Sequence, residues 1–318
     1  MNERLMIRRI QHEMESCNID NISRTISYAK FYERNPEIKW AFLASMVSRN
    51  AGWCMTDLLG TWCQKALSDE FRYWLFLTYE KANWLIFRDA FPQLLIYELS
   101  KKKGKPLFHL VEAFSVSSFM KREWEIFFKN RNEKRLLLSL IINEQHLIQL
   151  PVIEDRYFNK YVFKSFPYRF QDLFHFNTVL FPTLDGQLYG CTVKGFRKVH
   201  ARIQLGKCLA AILFHPLYYE KFHLFSNIVP HTGSRYDFER YLPIHKTRET
   251  PFLRTAYPIV SHHIDERESN WFHGQRLNHF YGVVKTPKQV HLTDWYLKKQ
   301  EQLRVICLVE EYLKGRKG

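Results

Sequence analysis

Turn-forming residues are scarce in this chain: 12 glycines and 12 prolines interrupt 318 residues. A many-stranded sandwich or barrel needs a turn signal roughly every 8 to 12 residues, and that supply is missing. Helices need far fewer interruptions. The aromatic load of 26 Phe, 17 Tyr and 8 Trp gives those helices large apolar bodies to bury, and a chain of this length builds an extensive core without staples. The expected fold is mainly α, a single multi-helix domain over residues 1-318. No Gly/Ser-rich linker, internal repeat or low-complexity segment divides it.

The first third has the clearest helical grammar. Asn21 or Ser23 is placed to cap a helix reaching about Arg34, and Pro36 with Glu37 to open another, since proline suits the first helical position and a carboxylate suits the positive end of the dipole. This second helix is expected to stop at Gly52, with Thr56 or Asp57 capping the next. Ser68, Asp69 and Glu70 begin a long aromatic helix that Pro92 breaks or kinks and that ends in Lys101, Lys102, Lys103 and Gly104. Further helices are expected at about 106–131 and 133–148. Leu184-Asp185-Gly186 between two apolar runs predicts one small β-hairpin near 178-193. A helix at about 196–214 follows, then an irregular His/Tyr/Pro-rich region over 215-292, and a last helix capped by Thr293 and Asp294.

Charge is distributed unevenly. Residues 1–100 hold 12 basic and 12 acidic side chains, residues 101–200 hold 17 and 9, and residues 201–318 hold 18 and 11, for a net +15. A surplus of that sign attracts nucleic acid, an anionic membrane surface or acidic proteins by forces that salt screens. The expected partner is therefore an anionic macromolecule, provided the later cations gather into one outer face. No apolar stretch follows the charged first residues, and the longest uninterrupted apolar run is Cys208 to Phe214, so neither a secretory leader nor a membrane span is expected. The expected location is cytoplasmic. Six scattered cysteines lack short paired spacing and are read as reduced core thiols.

Three segments are candidate sites. The first is Ser48-Arg49-Asn50-Ala51-Gly52-Trp53. A guanidinium and an amide on an apolar helix need partners if buried, so the group forms either a structural network fixing the helix corner or an anion pocket in which Arg24, Arg49 and Asn50 hold a carboxylate or phosphate. Asn21 through Thr25, Pro36-Glu37-Ile38 with Trp40-Ala41, and Met46 through Trp53 resemble the opening of the YppC-like proteins of bacilli, an uncharacterised family. The resemblance extends over most of the chain and implies a bacterial cytoplasmic setting, but no activity. The family pattern favours His and Asn where this chain has Ser45 and Cys54, so neither receives a catalytic role.

The second candidate is His231-Thr232-Gly233-Ser234-Arg235-Tyr236-Asp237. Its histidine and carboxylate suit proton transfer by His231 or Asp237, and Ser234 with Arg235 suits an anion contact. The same letters also describe a helix cap, and neither a nucleophile elbow nor a phosphate loop is present. Joining it to Arg49 would give an enzyme acting on a phosphorylated or carboxylated small molecule. The third is the run from Arg156 to Phe170, where Arg156, Lys160, Lys164 and Arg169 alternate with aromatics, as single-stranded nucleic acid requires, or as a helix snorkelling its cations over an aromatic core requires.

Seven histidines after position 230, with Asp265 and Glu266 beside His262 and His263, lack the spacing of a metal motif and read as hydrogen-bonding residues. No metal or cofactor is expected. A structural partner protein with an exposed aromatic patch is a further reading.

Overall fold

A pair of antiparallel helices forms the pivot on which the rest of the chain assembles. The computed structural model describes residues 2–164, 178–192, 195–244, 247–263, 271–282 and 289–315, with side chains through 305. It opens with α1 (Glu3–Cys17), followed by α2 (Asn21–Arg34) and α3 (Lys39–Asp57), then α4 (Thr61–Ala66) and α5 (Asp69–Lys103). A 3-10 turn at Phe108–Phe114 leads to α6 (Ser118–Asn130) and α7 (Glu133–Leu147), and π-turns at Gln149–Ile153 and Asn159–Phe163 flank α8 (Arg156–Phe158). Strands β1 (Thr178–Pro182) and β2 (Leu188–Thr192) pair antiparallel, with Thr178 opposite Thr192 and Pro182 opposite Leu188. The chain then forms α9 (Val199–Leu213), α10 (Tyr219–Ile228), α11 (Tyr236–Glu239), α12 (Leu253–Ala256), a 3-10 turn at Asn278–Tyr281 and α13 (Thr293–Gly315). The fold is mainly α with one small hairpin.

Several helix boundaries differ from expectation for physical reasons. Asp20, not Asn21 or Ser23, caps α2 by accepting from Ser23 N at 2.7 Å. Pro36 and Glu37 form a turn and α3 starts at Lys39; Glu37 is held instead by Lys101 and Tyr97 at the far end of α5. Gly52 does not end α3. The helix runs on to Asp57, and the missing Cβ leaves room for Asn21 and His231, which an added methyl would meet at 2.4 and 2.8 Å. Ser68 caps α5 as expected, but that helix passes through Pro92 and ends at Lys103, with Gly104 left-handed after it. The helix expected at 106–131 is split at Ser115, which adopts a left-handed conformation.

Behind Pro92, a polar network stitches α5 to its neighbours. Gln93 Nε2 and Asn143 Nδ2 donate to Asp89 Oδ2 at 2.7 and 2.6 Å, Trp124 donates to Gln93, and Ser117 and Trp271 donate to Asn143. Every polar group in it has a partner, as a buried network requires. The stretch Glu133–Ile153 is long and apolar enough to cross a membrane, but most of its apolar part is buried inside the fold.

One cysteine expectation is overturned. Cys191 on β2 and Cys208 on α9 form a disulfide, because the hairpin packs its second strand on that helix. Cys17, Cys54 and Cys63 are free. A reducing compartment would tend to open such a bond.

Candidate functional site

The second turn of α5 carries the exposed Tyr73 and the half-buried Trp74 to the molecular surface, where α8 and its π-turn pack against the helix. Asp155 caps α8 by accepting from Tyr157 N and Phe158 N at 2.9 and 3.0 Å, which sets the start of the turn. Tyr157 and Tyr161, four residues apart, then lie nearly parallel to Trp74, with centroids 6.1 and 4.9 Å from it and interplanar angles of 4° and 5°. Phe158 meets the indole edge-on at 6.2 Å. Tyr157 is 59% exposed and Tyr73 is 57% exposed. Aromatic rings of this size are normally drawn into a core, so such exposure makes them available to a partner.

Cations surround the rings. Lys160 Nζ lies 4.7 Å from the Tyr161 centroid and donates to its hydroxyl at 3.3 Å. Arg197 donates to Asn159 Oδ1 at 3.3 Å, which ties the loop of Gly195, Arg197 and Lys198 to the same face; Gly195 has a φ of +76°, a turn that L side chains resist. Arg156, Lys160, Lys164, Arg197 and Lys198 are all exposed. Among the described residues, none has a carboxylate within ion-pair distance. Four other later cations are neutralised, Lys121 by Glu112, Arg135 by Glu123, Lys221 by Asp185 and Arg254 by Asp20. Arg169 lies outside the described residues.

The remaining candidates are buried. Arg24 binds Glu80 at 2.5 Å and Asn18 at 3.2 Å. Arg49 donates to Val229 O at 2.6 Å and lies over the Phe225 ring; burial lowers its pKa to about 10 against the opposing charge of Asp237. Asn50 takes Leu180 N on its Oδ1 at 3.0 Å and donates to Thr178 O at 3.5 Å, extending the ladder of β1. Arg24, Arg49 and Asn50 thus take three different sets of partners, and the expected joint grip on one anion is not formed.

His231 does meet the end of α3. Asn21 donates its amide to Ser48 O at 2.8 Å, so its oxygen accepts from His231 Nε2 at 2.8 Å, which assigns the proton to that nitrogen. Nδ1 faces Asp237 Oδ2 at 3.5 Å without a hydrogen bond. Asp237 is already served by Thr232 N, Thr232 Oγ1 and Trp53 Nε1 at 3.0, 2.5 and 3.0 Å. Burial drives the His231 pKa down to about 4 despite the nearby carboxylate, leaving a neutral imidazole. Ser234 bonds to Thr250, and Arg235 sits among Asp57, Glu239 and Glu249. Folding therefore unites Arg49, His231 and Asp237, but the His231 side chain is 0% exposed and presents no reacting atom to solvent.

His245, Asp265 and Glu266 lie outside the described residues. Trp74, Arg197 and Lys198 were not marked by the sequence pattern as site residues. Trp74 reads as one more core aromatic of a long helix, and only the basic pair after Gly195 hints at an exposed loop.

A family model described as "Protein of unknown function (DUF2515)" matches residues 16–300. The chain is 51% identical over 311 residues to "Uncharacterized protein YppC" of Bacillus subtilis (strain 168), covering 98% of this chain and 97% of that protein. No solved structure matches.

Proposed function

Because the chain belongs to the DUF2515 family, a membership that names no chemistry, we propose from its surface that it binds single-stranded nucleic acid across Tyr157, Trp74, Tyr161 and the cations around them. The carrying observation is a set of near-parallel rings, Tyr157 exposed and Trp74 and Tyr161 half-buried, beside five cations that no described carboxylate neutralises. Such rings accept any base by stacking, and the cations neutralise the phosphates between bases. A membrane-surface reading fits less well, since interfacial binding uses a long amphipathic helix and residues 156–163 form only two short turns. The enzyme reading is weaker still, because its proton-transfer candidates are sealed.

Fluorescence anisotropy with oligo-dT and oligo-U tests this. Neutralisation of up to five phosphates gives a slope of log affinity against log salt of up to about −3.5. Trp74→Ala removes roughly 1–3 kcal/mol of stacking, and Lys160→Glu lowers both affinity and slope. Salt-independent binding, or an unaltered Trp74→Ala, defeats the proposal. Binding to phosphatidylglycerol vesicles without binding to either oligonucleotide replaces it with the membrane reading.

A further inference from the structure

Helices α2, α3, α5, α7 and α9, with strand β1, leave a cavity of about 170 Å³ where they meet. Much of its wall is aliphatic, including Leu43, Val47, Ile86, Ile148, Leu205 and Leu209. A cavity of about 150 Å³ lined by such side chains holds a benzene ring, so this space takes a single ring and a short head group.

Two polar groups in the wall have capacity left for a ligand. Glu144 is half-buried, and its oxygens accept from Trp40 Nε1 and Gln145 Nε2, both at 3.0 Å. Among the described residues no cation lies within ion-pair distance of it. The guanidinium in the wall, that of Arg202, is engaged by Gln145, Gln149 and the Phe196 carbonyl. Tyr28 is 3% exposed and its hydroxyl has no partner. A carboxylate withdrawn from water without a counter-charge is costly, and a buried hydroxyl without a partner requires an explanation. Burial raises the Glu144 pKa to about 7, in keeping with a carboxyl group that has no cation beside it.

We propose that this cavity is a binding site for a small primary amine with a single-ring apolar body, the ammonium on Glu144 and the ring among the aliphatic side chains of α3, α5 and α9. An ammonium offers three donors and no acceptor, which suits a carboxylate and a phenolic oxygen with lone pairs to spare. A carboxylate ligand would meet like charge at Glu144, and a neutral alcohol would leave that charge uncompensated. This site does not depend on the nucleic-acid reading, since its lining shares no residue with that surface.

The test uses the full chain with three probes of one shape: benzylamine, benzyl alcohol and benzoate. Calorimetry and thermal shift are expected to show benzylamine binding most tightly, benzyl alcohol more weakly, and benzoate not at all. Glu144→Gln keeps the shape and removes the charge, so it should weaken benzylamine roughly tenfold or more and bring it level with benzyl alcohol. Ala82→Leu fills the space and should abolish the response to both. The proposal is overturned if benzylamine fails to bind the unaltered protein, if benzoate binds as well, or if folded Glu144→Gln or Ala82→Leu keeps the benzylamine affinity. The comparison of probes on the unaltered chain needs no variant to fold.

Discussion

Gly52→Ala separates two physical effects by their sign. Gly52 lies inside α3, where alanine normally stabilises a helix by about 1 kcal/mol. Here the new Cβ would stand 2.4 Å from Asn21 Oδ1 and 2.8 Å from two His231 ring atoms. Ordinary contact needs those groups to retreat by ~1 Å, which parts the Asn21–His231 hydrogen bond. Overpacking costs about 1–3 kcal/mol and an orphaned buried polar group about 1–3 kcal/mol. Less the propensity gain, the net loss is about 1–5 kcal/mol, centred near 3 kcal/mol. With unfolding entropy scaling over 318 residues, that lowers the melting temperature by about 4 °C. Urea unfolding followed by tryptophan fluorescence, with calorimetry for the midpoint, measures it. A variant as stable as the parent, or more stable, refutes the claim that His231 and Asn21 are clamped against α3.

Two further outcomes concern the core. Asp89 has its pKa raised by burial to about 7, so the unfolded chain releases this proton first. Its stabilising contribution is complete below about pH 4 and is lost as pH rises through about 7, by at most about 4 kcal/mol; Asp89→Asn should flatten that loss in urea midpoints measured from pH 4 to 8, and parallel curves for the two proteins would contradict it. Reduction of Cys191–Cys208, 17 residues apart, should cost about 3 kcal/mol on the chain-entropy account, seen as a lower urea midpoint with dithiothreitol that Cys208→Ser reproduces; unchanged midpoints would show that the bond contributes nothing.

Much of the helical fold was legible because its signals are local. Ser68 before Asp69 and Glu70, the lysine run before Gly104, and Asp185-Gly186 between apolar strands each act within a few residues, and each matches the structure. Gly52 misled for the complementary reason. Its role is set by His231, some 180 residues away, and no local pattern separates a glycine that ends a helix from one that admits a neighbour. The Cys191–Cys208 pair was missed likewise, since strand-on-helix packing brings the two together. In the candidate interface, Arg156, Lys160 and Lys164 were visible as cations interleaved with aromatics. Trp74 was not, because it reads as one more aromatic of a long helix and its stacking partners come from 80 residues further on.

Several polar residues of α3 share one purpose, while Ser45 and Ser48 bond to α2. Irregular stretches separate the elements after residue 177, and their backbone groups need partners that no ladder supplies. One helix provides several of them: Asn50 serves β1, Arg49 takes Val229 O and Thr56 takes Gly233 O at 2.6 Å, while Trp53 holds the Asp237 carboxylate. A cation placed as Arg49 is lies inside the fold and is withdrawn from any outer field. The charge left to act on a partner is the part that no carboxylate and no carbonyl has claimed. Part of it lies beside the exposed ring of Tyr157 and the half-buried rings of Trp74 and Tyr161, which is why the surface, and not the denser polar cluster of the core, carries the functional proposal.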